Sequence, residues 1–318
     1  MKVSRRFALA SGGAAALTFP AVVRAQAPPV TIRIATVPAE QLMPYVYAVR
    51  AGLFERAGIH LDVNTGMKNG AASAAAVTGG ALDIAVGTVI VVMNAHVHKI
   101  PLTILAPSGV WLPSSEGGLI VAADSALRQP RDFVGKTVGA GALNDITTLG
   151  MQAWLDKNGV DPYSVKFVEA PQVSAAAAVE AGRLDATNLQ DPAYLAAMAS
   201  GKVRLVANIM SAISPRLLLA CWFSSNDWVE KNRSAAQRFA RVIADASVYV
   251  NNHAEETLSD LVAFTGLDQG IASRMKRSFF NPRVDVSEIQ PQIDAAAKYK
   301  LIDHGFRASE IVSDAAVR

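Results

Sequence analysis

The chain has a single cysteine, Cys221, among 318 residues, so it can form no internal disulfide and no cysteine-rich metal site. Charged residues are also scarce at 18%, whereas hydrophobic residues make up 51%. That balance supports a large buried core and excludes intrinsic disorder. Beyond the N-terminus the most apolar run, residues 84–93, is well short of the ~20 residues that cross a bilayer. We therefore expect a folded chain of about two domains.

The excess of positive charge lies in the first 27 residues. They contain Lys2, Arg5, Arg6 and Arg24 and no acidic residue, and the rest of the chain has 26 basic against 27 acidic residues. Phosphate binding needs a dense basic face. A nucleic-acid partner is therefore not expected.

Residues 1–27 have the pattern of an export signal. An apolar stretch from Phe7 to Val23 follows the basic start, and Ala25-Gln26-Ala27 is a small-x-small cleavage pattern. The Arg5-Arg6 pair and Arg24 near the cut favour a twin-arginine signal, with an ordinary secretory signal as the alternative. The mature chain from residue 28 is then expected to be soluble and periplasmic.

A segment of the sequence is duplicated. Residues 74–83 and residues 176–185 match at seven of ten positions with a fixed offset of 102, including a Gly and a Leu-Asp pair that alanine richness does not explain. A period near 100 residues is too long for a solenoid, so it indicates two similar lobes.

Both copies predict the same order of elements. Strands are expected at 31–36 and 60–64 in the first copy and at 137–140 and 165–169 in the second, and Leu-Asp opens a third strand in each. Helices are expected at 44–57 and 147–158, before the second strand of each copy, and in the alanine-rich segments. Strands that alternate with helices indicate α/β sheets.

Two strand-like runs are candidates for the connections between the lobes. Residues 117–123 would cross outward and residues 217–223 would return. The expected division is a signal peptide at 1–27, lobe one at 28–120 and 217–318 with C-terminal helices, and lobe two at 121–216.

Four motifs, in this order and spacing, resemble those of a known family. They are Ala48-Val49-Arg50-Ala51-Gly52-Leu53-Phe54 with Gly58-Ile59, Gly80-Ala81-Leu82-Asp83-Ile84-Ala85, Asp132-Phe133-Val134-Gly135-Lys136-Thr137-Val138 and Ala181-Gly182-Arg183-Leu184-Asp185-Ala186. The chain resembles periplasmic substrate-binding proteins of ABC importers, in the nitrate/sulfonate/taurine and thiamine-pyrimidine-precursor branch. The resemblance implies a two-lobed periplasmic-binding-protein type II fold, an α/β fold in which each lobe is a doubly wound mixed sheet flanked by helices. Two crossing strands would form the hinge.

The resemblance also implies a function. Such a protein closes its cleft on a small ligand and docks on a permease in the inner membrane. We expect this chain to act as a monomer and without a cofactor. In open α/β sheets, ligands bind at the carboxyl ends of strands, often against helix N-termini. We expect a small organic anion, a sulfonate or a carboxylate, with a pyrimidine-like heterocycle as the alternative.

Loops after the predicted strands of lobe one supply the first site candidates. Tyr45 follows the first strand, and its alternative role is packing at a helix start. Lys68, Asn69 and Gly70 precede the alanine-rich helix, where backbone N–H groups and a lysine can face an anion, or can form a solvated turn. Gly87 and Thr88 end the third strand, where a glycine lets the backbone approach a ligand and a threonine offers a hydroxyl.

Lobe two supplies the remaining candidates. Asn144, Asp145 and Thr147 lie at a helix start, where capping is the alternative role. Asp191 precedes Pro192 at the position of the family's acidic-Pro step, where an acid would accept bonds from an amine or amide, or cap a helix. Arg216, just before the return crossing, would clamp an anion or form a structural salt bridge.

The sequence gives little support for catalysis or a metal. His96 and His98 have no nearby carboxylate or cysteine partner, and Cys221 lies in an apolar run typical of packing. No nucleophile elbow, Walker loop or His-Glu-x-x-His motif occurs. We expect a binding protein and no metal; an enzyme on the same fold and an input protein for a sensor remain as alternatives.

Overall fold

The computed structural model describes residues 28–67, 70–113 and 117–317, and within them the chain forms two five-stranded sheets flanked by helices. The strands are β1 (Val30–Ala35), β2 (Ile59–Asn64), β3 (Ile84–Thr88), β4 (Leu102–Pro107), β5 (Val110–Trp111), β6 (Gly117–Ala122), β7 (Thr137–Ala140), β8 (Lys166–Glu169), β9 (Ala186–Gln190), β10 (Val203–Ala207), β11 (Leu217–Leu218) and β12 (Ala220–Ser225). The helices are α1 (Met43–Arg50), α2 (Leu53–Arg56), α3 (Gly70–Thr78), α4 (Val89–Val97), α5 (Ile146–Lys157), α6 (Gln172–Glu180), α7 (Ala193–Ala199), α8 (Asn226–Lys231), α9 (Arg233–Asn252), α10 (Leu258–Thr265), α11 (Gln269–Ala272) and α12 (Gln290–Lys298).

The two sheets share one topology. The first has the strand order β2-β1-β3-β12-β4 and the second has β8-β7-β9-β6-β10. In each sheet three parallel strands are followed by a strand that runs antiparallel to both of its neighbours, β12 in the first and β6 in the second. The predicted fold class, two α/β lobes built on mixed sheets, is confirmed.

The duplicated Leu-Asp pair has a structural role that is the same in both sheets. Gly80 and Gly182 end α3 and α6 in the left-handed conformation, with φ of 74° and 68°. The Asp83 N–H then donates to the Arg33 carbonyl at 2.8 Å, and the Arg33 N–H donates back to the Asp83 carboxylate at 2.8 Å. Asp185 makes the same pair of bonds with Thr137, at 3.0 and 2.8 Å. The repeat in the sequence therefore encodes the joint between a helix and the next parallel strand.

Helices cover both faces of each sheet, because neighbouring residues of a strand point to opposite faces. In β12, Trp222 packs with α1, α2 and α9, whereas Phe223 packs with α3 and α4 on the other face. In β6, Leu119 packs with α5 and Ile120 packs with α6 and α7. Burial on both faces explains why these strands are nearly continuous apolar runs in the sequence.

The chain crosses between the sheets at β5 and β11, which pair antiparallel as a short two-stranded sheet. Leu217 lies opposite Trp111 and Leu218 lies opposite Val110, and all four side chains are buried. β5 connects β4 of the first sheet with β6 of the second, and β11 connects β10 with β12. These two strands connect the lobes and stand where the predicted fold has its hinge, although the outward strand is not the one expected.

The outward crossing lies earlier than the sequence indicates. Residues 117–122 form β6 within the second sheet, so the expected lobe boundary at residue 120 falls inside a strand. Gly117 and Gly118 have φ of 134° and 157°, and a Cβ on Gly117 would lie 2.6 Å from the Leu189 carbonyl oxygen. This glycine pair serves the close approach of β6 to its neighbours β9 and β10 within the second sheet.

The C-terminal region returns to the first sheet and also contacts the second. The expected C-terminal helices are α8 to α12, and residues 273–289 between α11 and α12 contain only a 3-10 turn at Val286–Glu288; Pro282 lies in this break and lacks the N–H that a helix interior needs. Lys298 Nζ lies 2.5 Å from the Asp156 carboxylate of α5, and the Tyr299 hydroxyl donates to the same oxygen at 2.8 Å. α5 is therefore tied at its C-terminal end to α12.

Candidate functional site

A cavity of about 590 Å³ lies between the two sheets, at the carboxyl ends of β1, β3, β7 and β9. Both lobes and the return crossing line it. The lining residues are Val37, Ala39, Gln41, Leu42, Gly70, Ala71, Ser73, Val86, Gly87, Thr88, Ile90, Val91, Asn94, Gly141, Ala142, Leu143, Asn144, Asp145, Ile146, Thr147, Gln172, Asn188, Gln190, Leu219 and Ala220. Its size and position are those of a small-molecule site in a doubly wound fold.

The wall from the first lobe is mainly apolar. Val86 at the end of β3 and Ile90 and Val91 at the start of α4 line it, together with Leu42 before α1. Its polar groups are the side chains of Gln41, Ser73, Thr88 and Asn94 and the backbone at the helix starts. This wall suits the apolar body of a ligand.

Two glycines of this wall make room for neighbouring side chains. A Cβ on Gly87 would lie 2.9 Å from the Phe223 ring, and a Cβ on Gly70 would lie 2.9 Å from a methyl group of Val91. Real Cβ contacts are longer than this, so a side chain at either position would displace its neighbour. Packing against Phe223 therefore accounts for the glycine at position 87, and the approach of a ligand to it stays a prediction.

The wall from the second lobe is more polar. The loop after β7 brings Asn144, Asp145 and Thr147 to the cavity, and Asn188 and Gln190 reach it from the same face of β9. Asn144 has a left-handed backbone with φ of 61°, a conformation that asparagine tolerates better than most residues. This wall offers amide and hydroxyl groups to a ligand.

Asp145 caps α5. Its Oδ1 accepts hydrogen bonds from the N–H groups of Thr147 at 2.8 Å and Thr148 at 3.1 Å, and its Oδ2 accepts from the Ala142 N–H at 3.2 Å. Burial raises the pKa of this carboxyl above the ordinary aspartate value, and the backbone N–H bonds offset part of the rise. Capping, the alternative role for Asp145, is the role seen, and it occupies the first amides of α5.

The helices α4 and α6 begin at the cavity without a side-chain cap. The residues before them, Thr88 and Pro171, make no side-chain bond to the first turn, and the Val89 N–H donates to the Leu219 carbonyl. The first N–H groups of a helix have no partner within it, and the N-terminal end of the helix dipole is positive. The starts of α4 and α6 therefore bring positive helix ends to the cavity from opposite lobes.

Asp145 is the only ionisable side chain among the described residues that line the cavity. No lysine or arginine of the described ranges takes part in the lining. Donors to an anion among these residues are therefore uncharged: backbone N–H groups, side-chain amides and hydroxyls.

The structure brings six of the predicted site residues to this cavity: Gly70, Gly87, Thr88, Asn144, Asp145 and Thr147. Lys68 and Asn69 lie outside the described residues. Tyr45, Asp191 and Arg216 are placed elsewhere, each for a different physical reason.

Tyr45 lies in the core of the first lobe. The residue is 6% exposed, and its ring packs against Phe54, Trp222 and Phe264, with ring centroids 6.2, 5.5 and 6.5 Å away. Burial raises the pKa of its hydroxyl. The expectation that Tyr45 faces the ligand is not met, because the start of α1 turns this side chain towards α9 and β12.

Asp191 lines a separate small cavity of about 40 Å³ beside the hinge, with Glu40, Trp111 and Lys276 among the other lining residues. It follows Gln190, which contributes to both cavities. Because side chains alternate along a strand, the residue after Gln190 does not join Asn188 and Gln190 in the wall of the large cavity.

Arg216 forms a salt bridge in place of a ligand clamp. Its guanidinium donates to one Glu288 carboxylate oxygen at 2.9 and 2.6 Å and lies over the Phe279 ring at 5.2 Å. The Glu288 side chain is only 2% exposed, so this carboxylate needs the cation. The structural salt bridge, which was the alternative role for Arg216, is the role seen.

Sequence reasoning missed Gln41, Gln172, Asn188 and Gln190. The offset of 102 maps β9 onto β3 residue for residue, so that Asn188 corresponds to Val86 and Gln190 to Thr88. Since Thr88 was already a candidate, the repeat itself contained the signal for the polar end of β9.

Nothing in the described ranges forms a group of three or more His, Cys, Asp or Glu side chains suited to a metal. His96 packs on Phe306, with ring centroids 4.1 Å apart, and its Nε2 lies 3.7 Å from the Glu310 carboxylate. Cys221 is fully buried, and burial raises the pKa of its thiol, so it is not a thiolate nucleophile in this state. Of the helices in the described part of the chain, none has the length and apolarity to cross a membrane.

Solved structures with this fold include two sulfonate-binding proteins. The periplasmic aliphatic sulphonate binding protein SsuA from Escherichia coli is 16% identical with a TM-score of 0.73, and 91% of this chain and 94% of that chain align. The alkanesulfonate-binding protein SsuA from Xanthomonas axonopodis pv. citri, bound to MOPS, is 20% identical with a TM-score of 0.70, over 92% and 99% of the two chains. At these identities the matches show a common fold.

The fold also occurs in an enzyme. The desulfurization enzyme DSZB is 15% identical with a TM-score of 0.64, over 89% of this chain and 96% of that chain. No curated protein sequence matches the chain at a significant level. The family model described as NMT1/THI5 like matches residues 39–257, more than half of the chain and nearly all of both sheets. The resemblance drawn from the sequence motifs is thereby confirmed, and this chain belongs to the NMT1/THI5-like family.

Proposed function

We propose that this chain is the periplasmic solute-binding component of an ABC importer, which closes on a small organic anion, a sulfonate or a carboxylate, and delivers it to a permease. The observation that carries the proposal is the cavity of about 590 Å³ between two lobes that are joined by two short strands. A ligand there contacts both lobes only when they are closed, so it stabilises the closed form by its differential affinity.

Three features support an anion with an apolar body. The wall of lobe one is apolar, and the starts of α4 and α6 have no side-chain cap. The Asp145 carboxylate is already engaged by three backbone N–H groups. A carboxylate or sulfonate is a good partner for helix N-termini, which carry partial positive charge and unpaired donors. Lys68, which precedes α3 in the sequence, is proposed to add a positive charge to the site.

The proposed location rests on the first 27 residues. Their basic start, apolar stretch and small-x-small pattern are those of an export signal, with Arg5-Arg6 favouring the twin-arginine route. The structurally similar SsuA from Escherichia coli is described as periplasmic, which fits the same compartment. We propose that the mature protein acts there as a monomer.

A pyrimidine-like heterocycle is the second candidate ligand. The amide side chains of Gln172, Asn188 and Gln190 line the polar wall and can donate to and accept from ring nitrogens and carbonyls. The position of Asp191 outside this cavity removes the acidic partner that such a ring would favour. Because DSZB shares the fold, turnover of a bound compound is also an outcome to test, although burial of Cys221 argues against a cysteine nucleophile.

Thermal-shift measurements on residues 28–318 test the proposal, because a ligand that binds only the folded state raises the melting temperature. The panel contains alkane- and benzenesulfonates, aliphatic and aromatic carboxylates, and neutral pyrimidines. Stabilisation by sulfonates or carboxylates, with the compound recovered unchanged, is the expected result. Stabilisation by neutral pyrimidines alone would refute the anion, and consumption of the ligand would refute a binding-only role.

Delivery to a permease needs its own test. We expect deletion of the gene to abolish high-affinity uptake of the stabilising anion, and a plasmid copy to restore it. Unchanged uptake in the deletion strain would favour an input protein for a sensor.

A further inference from the structure

Asn188 is a buried amide in the polar wall of the cavity. The residue is 5% exposed, and its Oδ1 accepts no hydrogen bond from any described residue. A buried carbonyl-type oxygen without a donor costs roughly 1–3 kcal/mol. Most buried polar atoms are paired in folded proteins, so this oxygen calls for a partner that the described residues do not supply.

The surroundings of Asn188 indicate where that partner comes from. Asn188 lies opposite Leu119 of β6 and on the same face of the sheet as Ala186, the face that α5 covers. On α5, Thr148 Oγ1 and Gln152 Oε1 are likewise buried without a partner among the described residues, but neither residue lines the cavity. Of these three groups, Asn188 alone can meet a ligand.

The other lobe provides an internal comparison. The residue that corresponds to Asn188 in β3 is Val86, which is also buried and also lines the cavity. An apolar side chain at this position therefore satisfies the fold, and the amide is not required to build the strand. The amide end of an asparagine rotates over a broad range about χ2, so it can turn Oδ1 from its enclosed position towards the cavity.

We propose that Asn188 is a specificity-determining residue, which selects ligands that carry an O–H or N–H donor on their body in addition to an anionic head. The inference rests on the proposed function for the anionic head only. The donor would bond to Asn188 Oδ1 while the head faces the helix starts. Analogues that lack the donor leave the buried oxygen unpaired and bind more weakly.

Matched sets of compounds test this inference on the mature chain. Each set carries a hydroxyl, a methoxy or a methyl group on one skeleton: 4-hydroxybenzoate with its methoxy and methyl analogues, and the corresponding benzenesulfonates. An uncharged set of 4-substituted benzamides is included. We expect the hydroxyl compound to bind at least about tenfold more tightly than its methoxy and methyl analogues by calorimetry. Equal affinities within every set, or no binding of any hydroxyl compound, would overturn the inference.

Two asparagine variants locate the effect. Asn188→Leu should abolish the preference, so that the hydroxyl and methyl compounds bind with an affinity ratio of about one, because no buried oxygen then remains unpaired. Asn252→Leu removes an exposed amide at the end of α9, outside the cavity, and should leave the preference intact. Equal loss in both variants would show that the loss does not arise at the cavity and would overturn the role of Asn188. If Asn188→Leu does not fold, the wild-type comparison still decides.

The inference and the proposed function fail in different ways. If only the benzamides bind, with the hydroxyl member preferred, the anion is refuted and the role of Asn188 stands. If benzoates and sulfonates bind without a preference for the hydroxyl, the anion stands and the role of Asn188 is refuted.

Discussion

The two lobes share one framework of sheet strands and helix-to-strand joints, here called the frame, but they present different walls to the cavity. Both sheets have one strand order, and Asp83 and Asp185 make the same pair of backbone bonds at the same point of each. At the cavity the lobes differ, since Val86 in β3 corresponds to Asn188 in β9. The bonds that hold a sheet together constrain the frame, whereas a side chain at a strand end only has to suit the ligand. A duplicated fold can therefore present an apolar wall and a polar wall to one molecule.

The largest expected effect concerns the shared frame. Asp83→Ala should lower the free energy of unfolding by about 3 kcal/mol, because it leaves the Arg33 N–H and guanidinium without their carboxylate. Asp185→Ala should cost about 1 kcal/mol, because its side chain is 37% exposed against 7% for Asp83. Urea unfolding of both variants measures the difference. Equal losses would mean that burial does not distinguish the two joints.

The next effect tests whether Arg216 belongs to the frame or to the wall. Arg216→Ala should lower stability by about 2 kcal/mol, because the buried Glu288 carboxylate loses its cation. Affinity for a stabilising sulfonate should stay within about twofold, since the residue does not line the large cavity.

The control for Arg216 is a second substitution. Glu288→Gln in the Arg216→Ala background should restore part of the stability by removing the unpaired charge. A large loss of sulfonate affinity with unchanged stability would return Arg216 to the ligand site.

A smaller effect is expected at the polar wall. Asp145→Asn should tighten binding of benzenesulfonate by about threefold to tenfold, because it removes a negative charge from the cavity lining. The matched control is Asp156→Asn, the same change about 16 Å along the same helix, which should leave affinity unchanged. Calorimetry at pH 7 measures both, and weaker binding by Asp145→Asn would contradict a repulsive role.

The smallest effect is a difference in pH dependence between the two ends of α5. Hydrogen bonds from Lys298 and Tyr299 lower the pKa of Asp156, so its contribution to stability is present above the ordinary aspartate pKa and is lost as pH falls through the folded-state value. Burial raises the pKa of Asp145, so its contribution is present below the ordinary pKa and is lost as pH rises through the folded-state value.

Unfolding of both aspartate variants between pH 3 and pH 7 measures this contrast. The cost of Asp156→Asn, less than about 1 kcal/mol at pH 7 for a partly exposed pair, should disappear at low pH. The free energy of unfolding of Asp145→Asn, relative to that of the wild type, should be higher at pH 7 than at pH 3. The same pH trend in both variants would contradict the opposite pKa shifts.

The sequence by itself determined the frame. Alternation of strands and helices, the Gly and Leu-Asp repeat and the family motifs predicted two α/β lobes, and strands were predicted within about a residue of β1, β2, β7 and β8. The glycine turn is a local feature, whereas the aspartate bonds join strands that are 50 and 48 residues apart in the two copies. Because the unit is duplicated, both features recur at one fixed offset, and this recurrence is visible in the sequence.

Only the tertiary structure decided which side chains face the cavity. Tyr45 packs into an aromatic cluster, Arg216 pairs with a residue 72 positions away, and the crossing begins at Val110 rather than at Gly117. Asn188 became a candidate once β9 was seen at the cavity and its Oδ1 was seen to be unpaired. The direction of a side chain depends on what packs against it from distant segments, and one chain's local pattern does not contain that information.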